Sequence, residues 1–217
     1  MYQNEAGVNE ALLLAGGSSK PIGDFDSSIQ LIESGLFDKA GFKRLHIAGH
    51  PEGCKDIDPD GGCKNVLDIG AAPGGWSQLI KYKLKTANVF AIDILDIEPI
   101  KGVNFFQQKV EDIDLVKDIF LLKGKINLVI SDLAPNLTGI SVIDEANIYE
   151  LNDITLDVAV EYLSKSKGVF IIKTFQNSML KKLRTKMISI FDDVQTFKPA
   201  ASKKQSAEIY LYGAFKG

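Results

Sequence analysis

The chain has 217 residues, of which 45% are hydrophobic, 24% charged and 9% aromatic. That composition excludes a disordered chain, a collagen and a disulfide scaffold, and the length fits one good-sized domain with or without an appendage. Apolar runs stop at four to seven residues, short of the roughly 18 that cross a bilayer, so no membrane association is expected. Met1 is followed by polar and acidic residues rather than by a signal peptide, and two cysteines fit a reducing cytoplasm. The net charge of −3 is unevenly spread: residues 1–62 hold five Lys/Arg and ten Asp/Glu, residues 63–217 hold twenty and eighteen. Such asymmetry hints at parts of different role or origin.

In chain order, Ala11 to Ala15 is a short apolar run, strand or helix. Gly16 to Ser19 is a loop that Pro21 and Gly23 extend. Asp26 can cap a helix through Leu36, with Ile29, Ile32 and Leu36 on one face. Arg44 to Ala48 reads as a strand, and Gly49 to Gly62 as a turn-rich boundary. From Cys63 the pattern becomes regular. Strands are predicted at Asn65–Ile69, Val89–Ile94, Val103–Gln107, Ile126–Ser131 and Val169–Lys173. Helices are predicted at Gly75–Lys85, Asp112–Leu122, Asn147–Lys165 and Met179–Phe191. Val194–Phe197 and Glu208–Tyr212 finish as an antiparallel pair. Strands alternating with helices predict an α/β fold with a doubly wound, mostly parallel sheet.

The stretch Val66-Leu67-Asp68-Ile69-Gly70-Ala71-Ala72-Pro73-Gly74-Gly75-Trp76-Ser77-Gln78 is the most informative. A buried strand runs into a small-residue turn and then a helix. Such a turn lets a ligand approach the backbone at the carboxyl end of a strand, where open α/β sheets bind ligands. It is neither G-x-G-x-x-G nor a P-loop, which disfavours a dinucleotide or a triphosphate. Asp93, ending the second strand, sits where a carboxylate can take the ribose hydroxyls of a nucleoside. The ordinary alternative is a tight strand–helix turn with no ligand.

This stretch resembles the S-adenosylmethionine site of the FtsJ/RrmJ family, the large-subunit ribosomal RNA 2′-O-ribose methyltransferases. The similarity continues in Ala91-Ile92-Asp93-Ile94-Leu95, Ser131-Asp132-Leu133-Ala134-Pro135-Asn136, Phe170 to Gln176 and Ser206-Ala207-Glu208-Ile209-Tyr210. It covers about residues 64–217, roughly seven tenths of the chain. The resemblance implies a seven-stranded Rossmann-like methyltransferase sheet, with S-adenosylmethionine as cofactor and no metal. The family's catalytic set is Lys-Asp-Lys-Glu, and its last three members fall on Asp132, Lys173 and Glu208. Gly70, Gly74, Trp76, Asp93 and Asp132 fall on cofactor contacts.

The residue types suit that chemistry. A ribose 2′-oxygen must lose its proton to attack a methyl carbon, and a lysine takes it if burial or neighbouring cations lower its pKa. Asp132 and Glu208 would hold the resulting ammonium and orient the ribose. No histidine follows His50, which argues against a histidine base. RNA contact would fall to Lys181, Lys182, Arg184, Lys186, Lys198, Lys203 and Lys204, by neutralising phosphates. Each of these, taken singly, also reads as an ordinary solvated lysine or arginine.

The chain departs from the family twice. A family aspartate that contacts adenine falls on Lys109, with Glu111 or Asp112 as nearby substitutes. The family's first catalytic lysine has no counterpart in Leu45-His46-Ile47-Ala48-Gly49-His50; the nearest lysine is Lys43, 25 residues before Asp68. Residues about 10–62 resemble instead a fragment of methylenetetrahydrofolate reductase, a flavin-dependent TIM barrel. A partial barrel cannot close its sheet or assemble its ring of loops, so no reductase activity is assigned. The expected organisation is an atypical, fused segment at 1–62 and a methyltransferase domain at 63–217, joined near Gly61 to Lys64. His46, His50, Cys54 and Cys63 are spaced only loosely like a zinc site and match no zinc motif.

The expected function is methyl transfer from S-adenosylmethionine to a ribose 2′-hydroxyl of RNA, with a uridine of the large-subunit (23S) ribosomal RNA as target. The protein is expected to be a cytoplasmic monomer. The alternative is a catalytically impaired module that binds cofactor and RNA, the missing lysine having removed turnover.

Overall fold

The computed structural model describes residues 64–197 and 207–216, together with the backbone of three N-terminal strands. Those strands are β1 (Tyr2–Gln3), β2 (Asn9–Leu13) and β3 (Phe42–Ile47). They form a sheet in the order β1-β2-β3, with β1 antiparallel and β3 parallel to β2. The apolar run at 11–15 is therefore mostly strand, and the strand expected at 44–48 begins two residues earlier. The helix expected from Asp26 to Leu36 lies outside the described residues.

The second sheet has seven strands in the order β6-β5-β4-β7-β8-β10-β9. They are β4 (Asn65–Ile69), β5 (Asn88–Asp93), β6 (Val103–Gln107), β7 (Leu128–Ser131), β8 (Val169–Phe175), β9 (Asp193–Phe197) and β10 (Glu208–Ala214). Strands β4 to β8 run parallel, and β10 is antiparallel to both β8 and β9. From β4 the chain winds outward through β5 and β6, then returns to add β7 and β8 on the other side. The carboxyl ends of β4 and β7 thus flank a topological switch point, where doubly wound sheets open a ligand crevice.

Strand alternation divides the core between two faces. Val66, Val89, Leu128, Ile130, Val169 and Ile171 pack with Trp76 and Ile80 of helix α1 (Gly75–Lys83). Leu67, Ile69, Ile92, Val129, Phe170 and Ile172 pack on the opposite face with Leu156, Ala159 and Leu183. These come from α3 (Ser141–Tyr162) and α4 (Leu180–Ile188). The β4 side chains after Asn65 are fully buried on both faces, as a central parallel strand requires.

Two helices differ from expectation. The stretch predicted as one helix from Asp112 to Leu122 is a 3₁₀ segment (Val110–Leu115) followed by the single turn α2 (Lys117–Phe120). Val116 between them is extended, at φ −84° and ψ 95°. Val110 and Ile113 are buried in the 3₁₀ segment and Ile119 in α2. Helix α3 begins at Ser141 rather than Asn147. Its first turn carries no apolar stripe, since Val142 and Ile143 are exposed, so periodicity does not reveal it. A buried hydrogen bond of 2.7 Å from Asn152 Nδ2 to Thr174 Oγ1 fastens α3 to β8 beside Lys173.

Candidate functional site

The site is built on the first turn after β4. Gly70 has φ +79°, and its N–H and that of Ala71 both reach the Ile92 carbonyl, at 2.9 and 3.1 Å. A Cβ at Gly70 would lie 2.7 Å from Leu133 Cγ, so the loop after β7 crosses directly over this residue. Gly74 caps α1 at φ +106°, where an added Cβ would lie 2.7 Å from Ile100 Cδ1. Both positions need glycine for conformation as well as for space.

Asp93 ends β5 with its carboxylate turned onto the same loop. Oδ2 accepts from Ala72 N–H at 2.9 Å and Oδ1 from Leu95 N–H at 2.8 Å. It braces the glycine turn, and each oxygen retains a lone pair for a ligand hydroxyl. Gln108 N–H donates to the Asp93 carbonyl at 2.8 Å, which brings Lys109, Glu111 and Asp112 next to this corner. All three are exposed.

Trp76 is found elsewhere than a ligand-facing tryptophan would be. Its side chain is buried and stacks on Tyr210 at 5.9 Å between ring centres. The ring is therefore core between α1 and β10. A cofactor contact from this residue would come through its backbone N–H in the first turn of α1, where N–H groups have no acceptor within the helix.

Asp132, Lys173 and Glu208 converge. Asp132 follows β7, and its N–H donates to the Ile69 carbonyl at 3.2 Å, beside the Gly70 turn. The Lys173 Nζ forms an ion pair with Asp132 Oδ1 and also reaches the Asp132 carbonyl at 3.3 Å. The two side chains are 4% and 8% exposed, so this is a buried pair rather than a surface one. In the β8–β10 ladder Lys173 lies opposite Tyr210 and Phe175 opposite Glu208. Facing residues of an antiparallel pair share a face, so Lys173 and Glu208 are diagonal neighbours on one side of the sheet.

The electrostatics follow from burial. Desolvation pushes Asp132 up to about 7 against the pull of Lys173, and the charge of Glu208 adds to the rise. Asp68, fully buried in β4, is also pushed up to about 7 by desolvation, against a hydrogen bond from Ser77. Ser77 Oγ donates to Asp68 Oδ2 at 2.6 Å, while Oδ1 makes no hydrogen bond among the described residues. Burial, with the charges of Asp132 and Glu208, raises the Tyr210 phenol.

Asp68, Ser77 and Tyr210 were not singled out as site residues by the sequence. The signal for Tyr210 is the alternation Glu208, Tyr210, Tyr212 along β10, which places it on the Glu208 face. Among the described residues Asp132 pairs with Lys173, Glu208 lies diagonal to it, and Asp68 and Asp93 sit on the neighbouring strands β4 and β5, so the lining is rich in carboxylates. Such a donor set suits a ligand bearing positive charge. The first turn of α1 suits a carboxylate on the same ligand. S-adenosylmethionine, with a sulfonium, an ammonium, a carboxylate and a ribose, fits both requirements.

A protein-family model described as FtsJ-like methyltransferase matches residues 39–216. The chain belongs to the FtsJ-like methyltransferase family. The ribosomal RNA large subunit methyltransferase E of Buchnera aphidicola is 40% identical over 157 residues, covering 70% of this chain and 75% of the relative. The enzyme of that name from Chromobacterium violaceum is 41% identical over 151 residues, covering 68% and 73%. The crystal structure of a Plasmodium falciparum ribosomal RNA methyltransferase superposes with a TM-score of 0.62 at 27% identity, covering 88% of this chain and 97% of that one. The protein is accordingly a methyltransferase, and S-adenosylmethionine is its methyl donor. The Rossmann-like seven-stranded sheet expected from the resemblance is the one observed.

The family match takes in residues 39–62, part of the segment that also resembles a reductase fragment, and it includes Lys43. Lys43 lies in β3, but its side chain, like those of His46, His50, Cys54 and Cys63, falls outside the described residues. Two of the expected RNA-binding lysines are engaged within the protein. Lys186 pairs with Asp153 and Asp157 at 2.8 and 2.7 Å, and Lys182 lies over the Tyr149 ring at 4.2 Å. Lys181 and Arg184 are exposed on α4, and Lys198, Lys203 and Lys204 lie outside the described residues. No described helix is long and apolar enough to cross a membrane.

Proposed function

We propose that this methyltransferase transfers the methyl group of S-adenosylmethionine to a ribose 2′-hydroxyl of large-subunit ribosomal RNA, with a uridine as target. The observation that carries the reading is the buried Lys173–Asp132 pair at the switch point, with Glu208 diagonal to it. The names of the relatives support the substrate class. When bound, S-adenosylmethionine supplies a methyl carbon made electrophilic by its sulfonium.

The chain's own residues do the rest. Gly70 and Gly74 keep the turn open for close approach of the cofactor, with the Trp76 N–H among its donors. Asp93 takes the cofactor's ribose hydroxyls, and Asp132 lies between cofactor and substrate. Lys173 accepts the 2′-hydroxyl proton at Nζ. The buried Asp132 carboxyl, paired with Nζ, holds the Lys173 side chain in place at the switch point for that step. Glu208 then holds the ammonium and orients the ribose. Positioning the oxygen against the methyl group supplies much of the rate.

In this reading residues 63–217 are the methyltransferase domain and 1–62 an atypical N-terminal segment. Lys43 is the nearest candidate for the family's first lysine. The protein acts as a cytoplasmic monomer. The test is labelled methyl transfer to large ribosomal subunits that lack the modification, by wild type and by Lys173→Ala. Wild-type transfer to ribose that vanishes in the variant supports the reading; retained turnover in the variant refutes Lys173 as the base.

A further inference from the structure

Two adjacent acids near the start of α3 fasten the loops that follow Asp132 and Lys173. Asp144 Oδ1 accepts from the N–H and Oγ of Thr138, both at 2.7 Å, and Oδ2 accepts from Gly139 N–H at 3.1 Å. Glu145 Oε2 accepts from Ser178 Oγ at 2.5 Å and Ser178 N–H at 3.2 Å, while Oε1 accepts from Ser141 Oγ at 3.0 Å. Hydrogen bonds from Thr138 hold Asp144, and those from Ser178 hold Glu145, below the ordinary carboxylate range.

The partners define what is being held. Thr138 and Gly139 close the loop that leaves Asp132. Ser178 lies five residues after Lys173. Between them Gln176 donates its N–H at 2.7 Å to the carbonyl of Ala207, the residue before Glu208. The start of α3 is therefore linked to the segments that follow Asp132 and Lys173 and, through Gln176, to the segment that leads into Glu208.

We propose that Asp144 and Glu145 are positioning residues for the RNA substrate. They hold the loops after β7 and β8 at the separation that receives the nucleotide strand on either side of the reacting ribose. The proposal rests on the reading of the site as an RNA 2′-O-methyltransferase. Neither acid touches the reacting atoms. Asp132 and Lys173 are fixed by their strands, so loosening the loops leaves the chemistry in place and weakens RNA binding, because the loops must then be ordered on association.

The test compares Glu145→Ala with Glu145→Gln in the full chain. A glutamine carbonyl can accept from Ser178 while its amide donates to Ser141. Glu145→Ala is expected to raise KM for RNA about tenfold while kcat and KM for S-adenosylmethionine stay within about twofold, and Glu145→Gln to recover most of the loss. Ser178→Ala moves KM in the same direction. Hydrogen exchange of residues 175–179, measured without RNA, speeds up in Glu145→Ala and not in Glu145→Gln. An unchanged KM in Glu145→Ala, a fall in kcat at constant KM, or a glutamine variant as poor as the alanine variant overturns the proposal. Failure of the wild type to methylate RNA would instead count against the function proposed above. The exchange experiment would still decide the clasp, and unchanged exchange in Glu145→Ala would overturn it.

Discussion

Two charged clusters in this molecule obey opposite rules. Near α2, Lys123 meets Asp114 and Glu161 at 2.7 and 2.6 Å, and Tyr162 donates to Asp114 at 2.7 Å. Each charge there has an opposite charge as partner and keeps part of its surface in solvent. Hydrogen bonds from Lys123 lower Asp114, and the bond to Asp114 raises Lys123. Along β4, β5 and β8 and just after β7, Asp68, Asp93, Lys173 and Asp132 are instead taken out of water. Burial raises both Asp68 and Asp132 to about 7. The first cluster favours its charged forms and so stabilises local structure. The second holds groups near the pH where protons move, which is the condition for acid–base work.

The largest effect that separates the clusters is on turnover. Lys173→Ala should lower methyl transfer by a factor on the order of 10²–10⁴ with S-adenosylmethionine affinity within a few-fold, read by single-turnover assay and calorimetry. Asp132→Ala should damage both, because Asp132 sits beside the Gly70 turn and pairs with Lys173. Retained turnover in Lys173→Ala would erase the functional half of the contrast.

Next is the pH dependence of stability. Asp68 binds its proton more tightly folded than unfolded, so its contribution to stability is full below the unfolded value of 3.8 and fades as pH rises to about 7. That difference corresponds to roughly 4 kcal/mol between the limits. Asp68→Asn keeps an acceptor for Ser77 and removes the titration. It should raise Tm at pH 8 and change it little near pH 4. Equal shifts at both pH values would show that Asp68 is not held neutral by burial.

Gly74→Ala is a smaller perturbation. Its Cβ would meet Ile100 at a φ of +106°, so cofactor affinity should fall about tenfold through strain in the turn. Lys123→Met should have the smallest effect, with turnover unchanged and Tm within about 2 °C of wild type. A large loss of turnover there would break the division between the two clusters.

The site was more legible than its support, and alternation explains why. Val66 and Asp68, Ala91 and Asp93, Ile130 and Asp132, and Ile171 and Lys173 are each two residues apart. Buried apolar residues of these strands pack toward α1. Strand period and strand ends therefore put these side chains on one face of one crevice. What alternation cannot give is contact between distant segments. The Trp76–Tyr210 stack joins positions 134 residues apart in the sequence, and Glu145–Ser178 joins positions 33 apart. The core position of the Trp76 ring, which leaves its backbone N–H as the group available to a ligand, is accordingly not visible in the motif. The start of α3 was missed because its side chains serve the neighbouring loops rather than an apolar stripe. The 3₁₀ segment was read as α-helix because three apolar residues fit either period over so short a run.

The most direct measurement is the position of the transferred methyl group. Large ribosomal subunits from cells lacking the modification are incubated with labelled S-adenosylmethionine and the wild-type protein, and their RNA is then hydrolysed in alkali. A methyl group on a 2′-oxygen blocks cleavage at that linkage, so the account predicts label in an alkali-resistant dinucleotide, with none in the Lys173→Ala reaction. Label recovered in mononucleotides as a methylated base, or equal label from both proteins, would contradict it.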